Sequence, residues 1–332
     1  MDFIKTMKAK AASMQRNLVL PEGTDPRVIK AAQTIIYEQL AASVTLLGEV
    51  KKIQKAAEAA GVRLNEINLV NPRTDTRLDT YANEYYEQRK HKGINEEQAR
   101  IDITDPLRWG SMMIHLGQAD AMVAGAENTT GDVLRAGLGI IGTIPGLRTA
   151  SSCFVMAGLD PQWGVEGTLI FSDCAVVPNP TPEQLADITQ SAAQSCREFL
   201  DVDPVVALLS FSTKGSNSHD HADKVLATIE ILKDRNPGFI FDGELQVDAA
   251  LVPSITDKKA PNSPVRGKVN TLIFPDLDAG NIGYKLVQRL GKAEALGPFL
   301  QGFAKPISDL SRGASVEEII STCAVTLSRA KK

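Results

Sequence analysis

Apolar and polar positions along this chain follow two alternating rhythms. Short apolar runs at Asn17 to Leu20, Val44 to Leu47, Ile67 to Val70 and Ala119 to Ala124 have the length of buried strands, and the segments between them are long enough for helices. Such alternation predicts a parallel α/β sheet. The first intervening helix carries its own start signal, with Asp25 as N-cap, Pro26 at the first helical position, and Val28, Ala32, Ile35 and Ile36 on one apolar face. Ahead of it, Phe3, Ile4, Met7, Ala11 and Met14 fall at helical spacing among Lys5, Lys8 and Lys10. That pattern predicts an amphipathic opening helix rather than a transit peptide, of which Asp2 is atypical.

A second α/β series follows, with strands at Ser152 to Met156, Thr168 to Phe171, Val205 to Ser210 and Thr271 to Phe274, and a helix from Pro182 to Leu200 among the connections. Between the two series, Gly142 to Thr149 holds Pro145 and Gly146, a crossing point from one domain to the next. Leu296-Gly297-Pro298 breaks the pattern again, and a last helix runs from about Val316 to Arg329 with Ile319, Ile320, Cys323 and Leu327 on one face. A chain of 332 residues, 43% apolar and 23% charged, has the length and composition for two folded domains.

The formal net charge of −4 argues against a nucleic-acid or membrane-surface binder, because both need concentrated Lys and Arg. Cys153, Cys174, Cys196 and Cys323 are widely spaced and form no Cys-x-x-Cys pair. They are expected as reduced, buried thiols of a cytoplasmic protein, with no zinc site. No run approaches the length of a membrane span.

Gly137-Leu138-Gly139-Ile140-Ile141-Gly142 matches GxGxxG, but a dinucleotide loop must follow a strand directly and open a helix, whereas these glycines fall late in a helical stretch. Close helix packing is the expected role. A better anion site lies upstream, where the strand ending at Ala124 runs into Gly125 to Gly131 and a helix carrying Arg135. Backbone N–H groups and the hydroxyls of Thr129 and Thr130 would meet a phosphate there, and Arg135 would add a charged fork; an ordinary βα turn has the same composition. Asp309 to Glu318 gathers a hydroxyl (Ser311), a guanidinium (Arg312) and two carboxylates (Glu317 and Glu318) at a loop-to-helix junction, yet Ser315 and Glu318 also have the spacing of a capping box. Arg89 to Gly93 is a basic cluster, either solvated or facing a phosphate. His219-Asp220-His221 with Asp223 reads as a helix start rather than a metal site.

Taken in order, these segments resemble the phosphate acetyltransferase family from about residue 16 to 330. The matching blocks are Leu20-Pro21-Glu22-Gly23 with Asp25 and Arg27, Arg89 to Gly93, Gly125 through Arg135, Lys214-Gly215-Ser216, Gly243-Glu244-Leu245-Gln246 with Asp248, Pro275-Asp276-Leu277 with Gly280 to Tyr284, and Gly297 through Gly313. The resemblance implies two α/β domains with a cleft between them, as in isocitrate and isopropylmalate dehydrogenases. Residues 1–148 with 296–332 would form the first domain and 149–295 the second, and the chain would pair as a homodimer.

The resemblance further implies that acetyl phosphate and coenzyme A exchange an acetyl group, giving acetyl-CoA and inorganic phosphate, with coenzyme A as substrate and no tightly bound cofactor or metal. It places the catalytic residues at Ser311, Arg312 and Glu318, the last a departure, since the family has an aspartate there. Arg89 and Arg135 would bind phosphate, and Arg27 and Arg289 coenzyme A. Two other readings stay open: a phosphate butyryltransferase, and a regulatory module that binds acetyl-CoA without turnover.

Overall fold

A computed structural model describes residues 2–331. Its elements run α1 (Phe3–Met14), β1 (Asn17–Leu20), α2 (Pro26–Tyr37), β2 (Ser43–Leu47), α3 (Val50–Ala60), β3 (Ile67–Val70), α4 (Leu78–Arg89), α5 (Glu96–Asp102), α6 (Pro106–His115), β4 (Ala121–Ala124) and α7 (Thr130–Ile140). Then come β5 (Ser151–Ala157), β6 (Leu169–Ser172), α8 (Pro182–Leu200), β7 (Val205–Leu209), α9 (Asp220–Arg235), β8 (Ile240–Leu245), α10 (Val247–Leu251), α11 (Pro253–Lys259), β9 (Thr271–Ile273), α12 (Leu277–Leu290) and β10 (Glu294–Gln301). β11 (Ile307–Asp309) and α13 (Val316–Ser328) complete the order.

Contacts divide these elements into two compact units, one of Asp2–Ile144 together with the chain from Phe303 onward, the other Pro145–Gly302. The first unit is built on a parallel sheet of order β11-β4-β1-β2-β3. Its strands read as continuous apolar runs because helices cover the sheet. Val28, Ile29 and Ile35 of α2 pack with Ile319, Ile320, Cys323 and Leu327 of α13 in a core cluster that includes Leu18, Leu20 and Val123. α2 begins as its sequence predicts: the Asp25 carboxylate accepts hydrogen bonds from Arg27 N and Val28 N, and Pro26 fills the first helical position.

The second unit carries a mixed sheet, β10-β5-β6-β9-β7-β8, in which β10 and β5 and then β5 and β6 are antiparallel and the remaining pairs parallel. β10 holds Leu296-Gly297-Pro298, where the pattern was expected to break. The register against β5 shifts between Leu296 and Phe299, so the strand absorbs Gly297 and Pro298 as an irregularity on an edge of the sheet, where proline is tolerated. Residues 296–301, expected with the returning segment of the first domain, therefore pair with β5 in the second unit.

Gly125, directly after β4, is the tightest backbone junction of the first sheet. Its φ is +115°, and a Cβ there would stand 2.5 Å from Asp309 Oδ1 and 2.6 Å from both Leu310 N and Leu310 O. Gly125→Ala is expected to lose about 2–4 kcal/mol of stability from backbone strain and overpacking together. Gly142→Ala, at φ +74° with open space around it, should lose only about 1 kcal/mol; thermal unfolding of the two variants side by side checks the difference.

Candidate active site

β4 and β11 lie side by side with Ala124 in register with Asp309, so the loops after the two strands emerge together at the carboxyl edge of the first sheet. In open α/β sheets this edge is where ligands bind. It gathers Thr129, Thr130 and Arg135 from one loop and helix with Ser311, Arg312 and Glu318 from the other.

The loop after β4 is shaped by a residue to which the sequence gave no role. Glu22, in the turn between β1 and α2 and 5% exposed, accepts hydrogen bonds from Gly125 N (3.0 Å), Ala126 N (2.8 Å), Glu127 N (2.9 Å), Asn128 N (2.8 Å) and Asn128 Nδ2 (2.8 Å). A buried carboxylate needs donors of this kind. The anion-binding concavity expected at Gly125 to Gly131 is thus real, but the N–H groups from 125 to 128 are spent on the protein's own carboxylate rather than left for a phosphate.

The two threonines that follow are also engaged. Thr129 caps α7, and its hydroxyl donates to Asp132 Oδ2 (2.6 Å) while accepting from Asp132 N (3.2 Å). Thr130 donates its hydroxyl to Asp309 Oδ2 (2.5 Å). A hydroxyl has one proton, so neither threonine donates to a phosphate in this arrangement.

Asp309 is buried, and its Oδ1 has no hydrogen-bond partner among the described residues. Burial pushes its carboxyl up to about 6; the hydrogen bonds from Thr130 and the Leu310 backbone act against that shift, and the nearby Glu22 charge adds to it. Asp309 was quoted in the sequence only as the start of the reactive segment. Asp309 ends a strand too short to show a local pattern, whereas Glu22 carried a weak signal as an acid two residues after the apolar run of β1.

Beyond Asp309 the chain makes a tight turn in which Ala314 N donates to Ser311 O (2.9 Å) and Gly313 N donates to Ser311 Oγ (3.3 Å). Ser311 and Arg312 are exposed on it. α13 then opens with the capping box its spacing allowed: Ser315 N donates to Glu318 Oε2 (2.7 Å) and Glu318 N donates to Ser315 Oγ (3.2 Å). Glu318 Oε1 keeps no partner among the described residues.

The four other arginines differ sharply. Arg135 is exposed on α7 and pairs with Asp132 at 2.6 Å. Arg89 ends α4, and its Nη1 lies 3.8 Å from where a Cβ of Gly139 would stand. Gly139 is one helical turn beyond Arg135, so the two guanidinium groups approach the same face of α7. Arg289 is exposed on the last turn of α12 in the second unit. Arg27, by contrast, has all five N–H donors engaged within the first unit: Nε with Asp25 Oδ1 (3.1 Å), Nη2 with Asp25 Oδ2 (2.7 Å) and Ala126 O (3.0 Å), and Nη1 with Arg312 O (2.7 Å) and Ala314 O (3.0 Å). No donor remains for a phosphate of coenzyme A, the role the resemblance gave it.

The remaining motifs resolve into packing. Gly137 leaves room for Ile307 and Phe303, so the GxGxxG motif begins in the last turns of α7 and runs past its end at Ile140, with Gly137 alone closely packed. His219 caps α9 by accepting from His221 N at 3.2 Å. All four cysteines are buried outside any disulfide, and burial raises the Cys196 thiol to about 11, which leaves it unreactive at neutral pH. A cavity of about 620 Å³ farther along the same sheet edge includes Lys52, Arg73 and Arg108, balanced by Glu49, Asp102 and Asp105, and none of the expected site residues line it.

The profile of the phosphate acetyl/butaryl transferase family matches residues 2–327. The phosphate acetyltransferase of Treponema pallidum (strain Nichols) is 56% identical over 330 residues, covering 98% of each chain. The solved structure of a phosphotransacetylase from Streptococcus pyogenes superposes with a TM-score of 0.92 at 38% identity, over 99% of this chain and 98% of that one. A 4-hydroxythreonine-4-phosphate dehydrogenase from Klebsiella pneumoniae shares only 11% identity but superposes with a TM-score of 0.55, over 96% of this chain and 100% of that one. The fold is therefore the α/β architecture of the isocitrate and isopropylmalate dehydrogenase group. With residues 2–327 matched by the family and a relative 56% identical over 98% of each chain, this protein belongs to the phosphate acetyl/butaryl transferase family.

Proposed function

We propose that this chain transfers an acetyl group reversibly between acetyl phosphate and coenzyme A, by direct thiolate attack in a ternary complex. The observation that carries the proposal is the Ser311–Ala314 turn, which holds an exposed guanidinium, Arg312, without an ion-pair partner among the described residues, beside the N-terminus of α7. In the forward direction the coenzyme A thiol gives its proton to Glu318 through the free Oε1, and the sulfur adds to the acetyl carbonyl carbon. Negative charge develops on the carbonyl oxygen, where Arg312 strengthens its interaction in the transition state. The bond from the acetyl carbon to the phosphate oxygen then breaks with its electron pair on that oxygen, the phosphate gains a proton as Glu318 gives up the one it took, and hydrogen phosphate and acetyl-CoA are released with the carboxylate restored. Ser311 hydrogen-bonds the reacting group and forms no covalent intermediate.

Arg89 and Arg135, approaching one face of α7, supply the charge that holds the phosphate, and Thr130 N and Gly131 N in the first turn of α7 are the backbone donors left for it, since Asp132 N and Val133 N bond Thr129. Arg289 is the remaining exposed cation proposed for the phosphates of coenzyme A. The 56% identical phosphate acetyltransferase favours acetyl over butyryl. Acetyl phosphate, coenzyme A and inorganic phosphate are the proposed partners, with no nucleic acid and no metal. We place the enzyme in the cytoplasm, in keeping with its four buried cysteines outside any disulfide. Among the described residues no helix is long and apolar enough to cross a membrane.

A homodimer is also proposed. On α12, Ile282, Leu286 and Leu290 are 57%, 52% and 78% exposed at i, i+4 and i+8, a single apolar stripe. Leu286→Lys is expected to convert a dimer at micromolar concentration into a monomer, read by light scattering, and a monomeric wild type would count against the pairing.

Two kinetic outcomes test the chemistry. Glutamine keeps the capping geometry of Glu318 but cannot accept a proton, so Glu318→Gln should lower coenzyme-A-dependent phosphate release from acetyl phosphate by roughly 10²-fold or more. Turnover retained in the variant returns Glu318 to helix capping, and a silent wild type favours a regulatory module.

The second outcome concerns Asp309. Its folded value of about 6 lies above the unfolded carboxyl value near 4, so the protonated form suits the fold, and ionisation costs stability as pH rises from about 4 through about 6. When protonated, Asp309 donates to Thr130 Oγ1 and frees the threonine proton for a phosphate oxygen; when ionised, it claims that proton. The KM for acetyl phosphate should therefore rise as pH climbs through about 6 in the wild type. It should stay flat in Asp309→Asn, whose amide donates at every pH.

A further inference from the structure

We infer that Arg27 is a positioning residue, a latch that sets the shape of the Ser311–Ala314 turn, and not a ligand for coenzyme A. Three segments meet at its guanidinium: Asp25 at the start of α2, Ala126 in the loop after β4, and the turn whose Arg312 and Ala314 carbonyls lie on either side of Gly313. A planar fork with five fixed donors can serve these acceptors at once, whereas an ammonium presents three donors from one point.

The side chain is anchored before it reaches the turn. Asp25 binds Nε and Nη2 together, and the Arg27 charge in turn helps hold the Asp25 carboxyl below its ordinary value against the cost of burial. The guanidinium is thus pre-oriented, and its Nη1 closes on both carbonyls of the turn. Arg312 O is fixed at 2.7 Å while the Arg312 side chain remains without a partner among the described residues. Backbone held and side chain free is the condition for an arginine that must aim at a developing charge. The same fork reaches Ala126 O, inside the loop that Glu22 organises, so the two loops at the sheet edge share one support.

The kinetic arm of the test rests on the acetyl-transfer reading; the proteolytic arm does not. Arg27→Ala and Arg27→Lys are compared with wild type using coenzyme A and pantetheine, the same thiol arm without its phosphates. Positioning predicts a kcat loss of at least tenfold with both thiols in both variants, with the KM for coenzyme A within twofold of wild type. A tenfold rise in the KM for coenzyme A with kcat kept and pantetheine turnover unaffected would make Arg27 a phosphate ligand and overturn the inference.

Trypsin cleavage after Arg312, followed by mass spectrometry of the peptide ending there, reads the turn directly, since the scissile carbonyl is the one Arg27 holds. Cleavage at least tenfold faster in both variants is expected. An unchanged rate overturns the latch whether or not the wild type transfers acetyl groups. Should the alanine variant not fold, Arg27→Gln, with two donors on a shorter side chain, carries the same comparison.

Discussion

The carboxylate of Glu22, buried in a ring of backbone N–H groups, is the interaction on which the rest of the sheet edge depends. A carboxylate away from water is tolerated only when its oxygens find hydrogen-bond donors, and the loop from Gly125 to Asn128 supplies four backbone donors and one side-chain amide. The bargain is mutual, since those N–H groups belong to no helix or strand and would otherwise be unsatisfied. The loop that leads into α7 is consequently fixed from the turn after β1, before any ligand is considered. Asp309 then fixes Thr130, and Arg27 fixes the turn beyond Asp309. The second unit repeats the device: buried Asp173, following β6, accepts from Ser152 N, Ala175 N, Val176 N and Val177 N.

This arrangement separates groups that shape the sheet edge from groups proposed to meet the substrate. Glu22 and Arg27 have their hydrogen-bonding capacity turned inward. Arg89, Arg312 and Glu318 Oε1 keep theirs open. A site assembled in this way has its geometry paid for by internal contacts, so its exposed cations need not be pulled into place by the ligand.

Local rules made much of the fold legible in the sequence. Asp25-Pro26, the apolar runs of β1 to β4 and the capping box at Ser315 all formed as their spacing predicted, because each depends on neighbours within a few residues. β11 escaped notice because three residues, Ile307-Ser308-Asp309, carry no periodicity, and β10 because its Gly297-Pro298 looks like a terminator until β5 is beside it. Ser311, Arg312 and Glu318 were named through resemblance alone; the structure brings them to one edge, and their chemical roles are proposed. The phosphate role of the Gly125 to Asn128 amides failed for a nonlocal reason: the carboxylate that occupies them is about a hundred residues earlier in the chain. Arg27 shows the same limit, since a sequence reveals a guanidinium but not that its acceptors are already present.

The place of β11 and α13 in the chain has a consequence for synthesis. The first unit takes its edge strand and the Ile319, Ile320, Cys323 and Leu327 portion of its core from residues translated after the whole of the second unit. A nascent chain halted anywhere before β11 can already hold Glu22 and the loop it organises, yet the surface of β4 and α2 that β11 and α13 cover stays bare. On the ribosome, the second unit is thus free to finish while the first waits with exposed apolar surface, a state prone to aggregation. The turn at Ser311, which lies between β11 and α13, comes into being only with the closure of that surface.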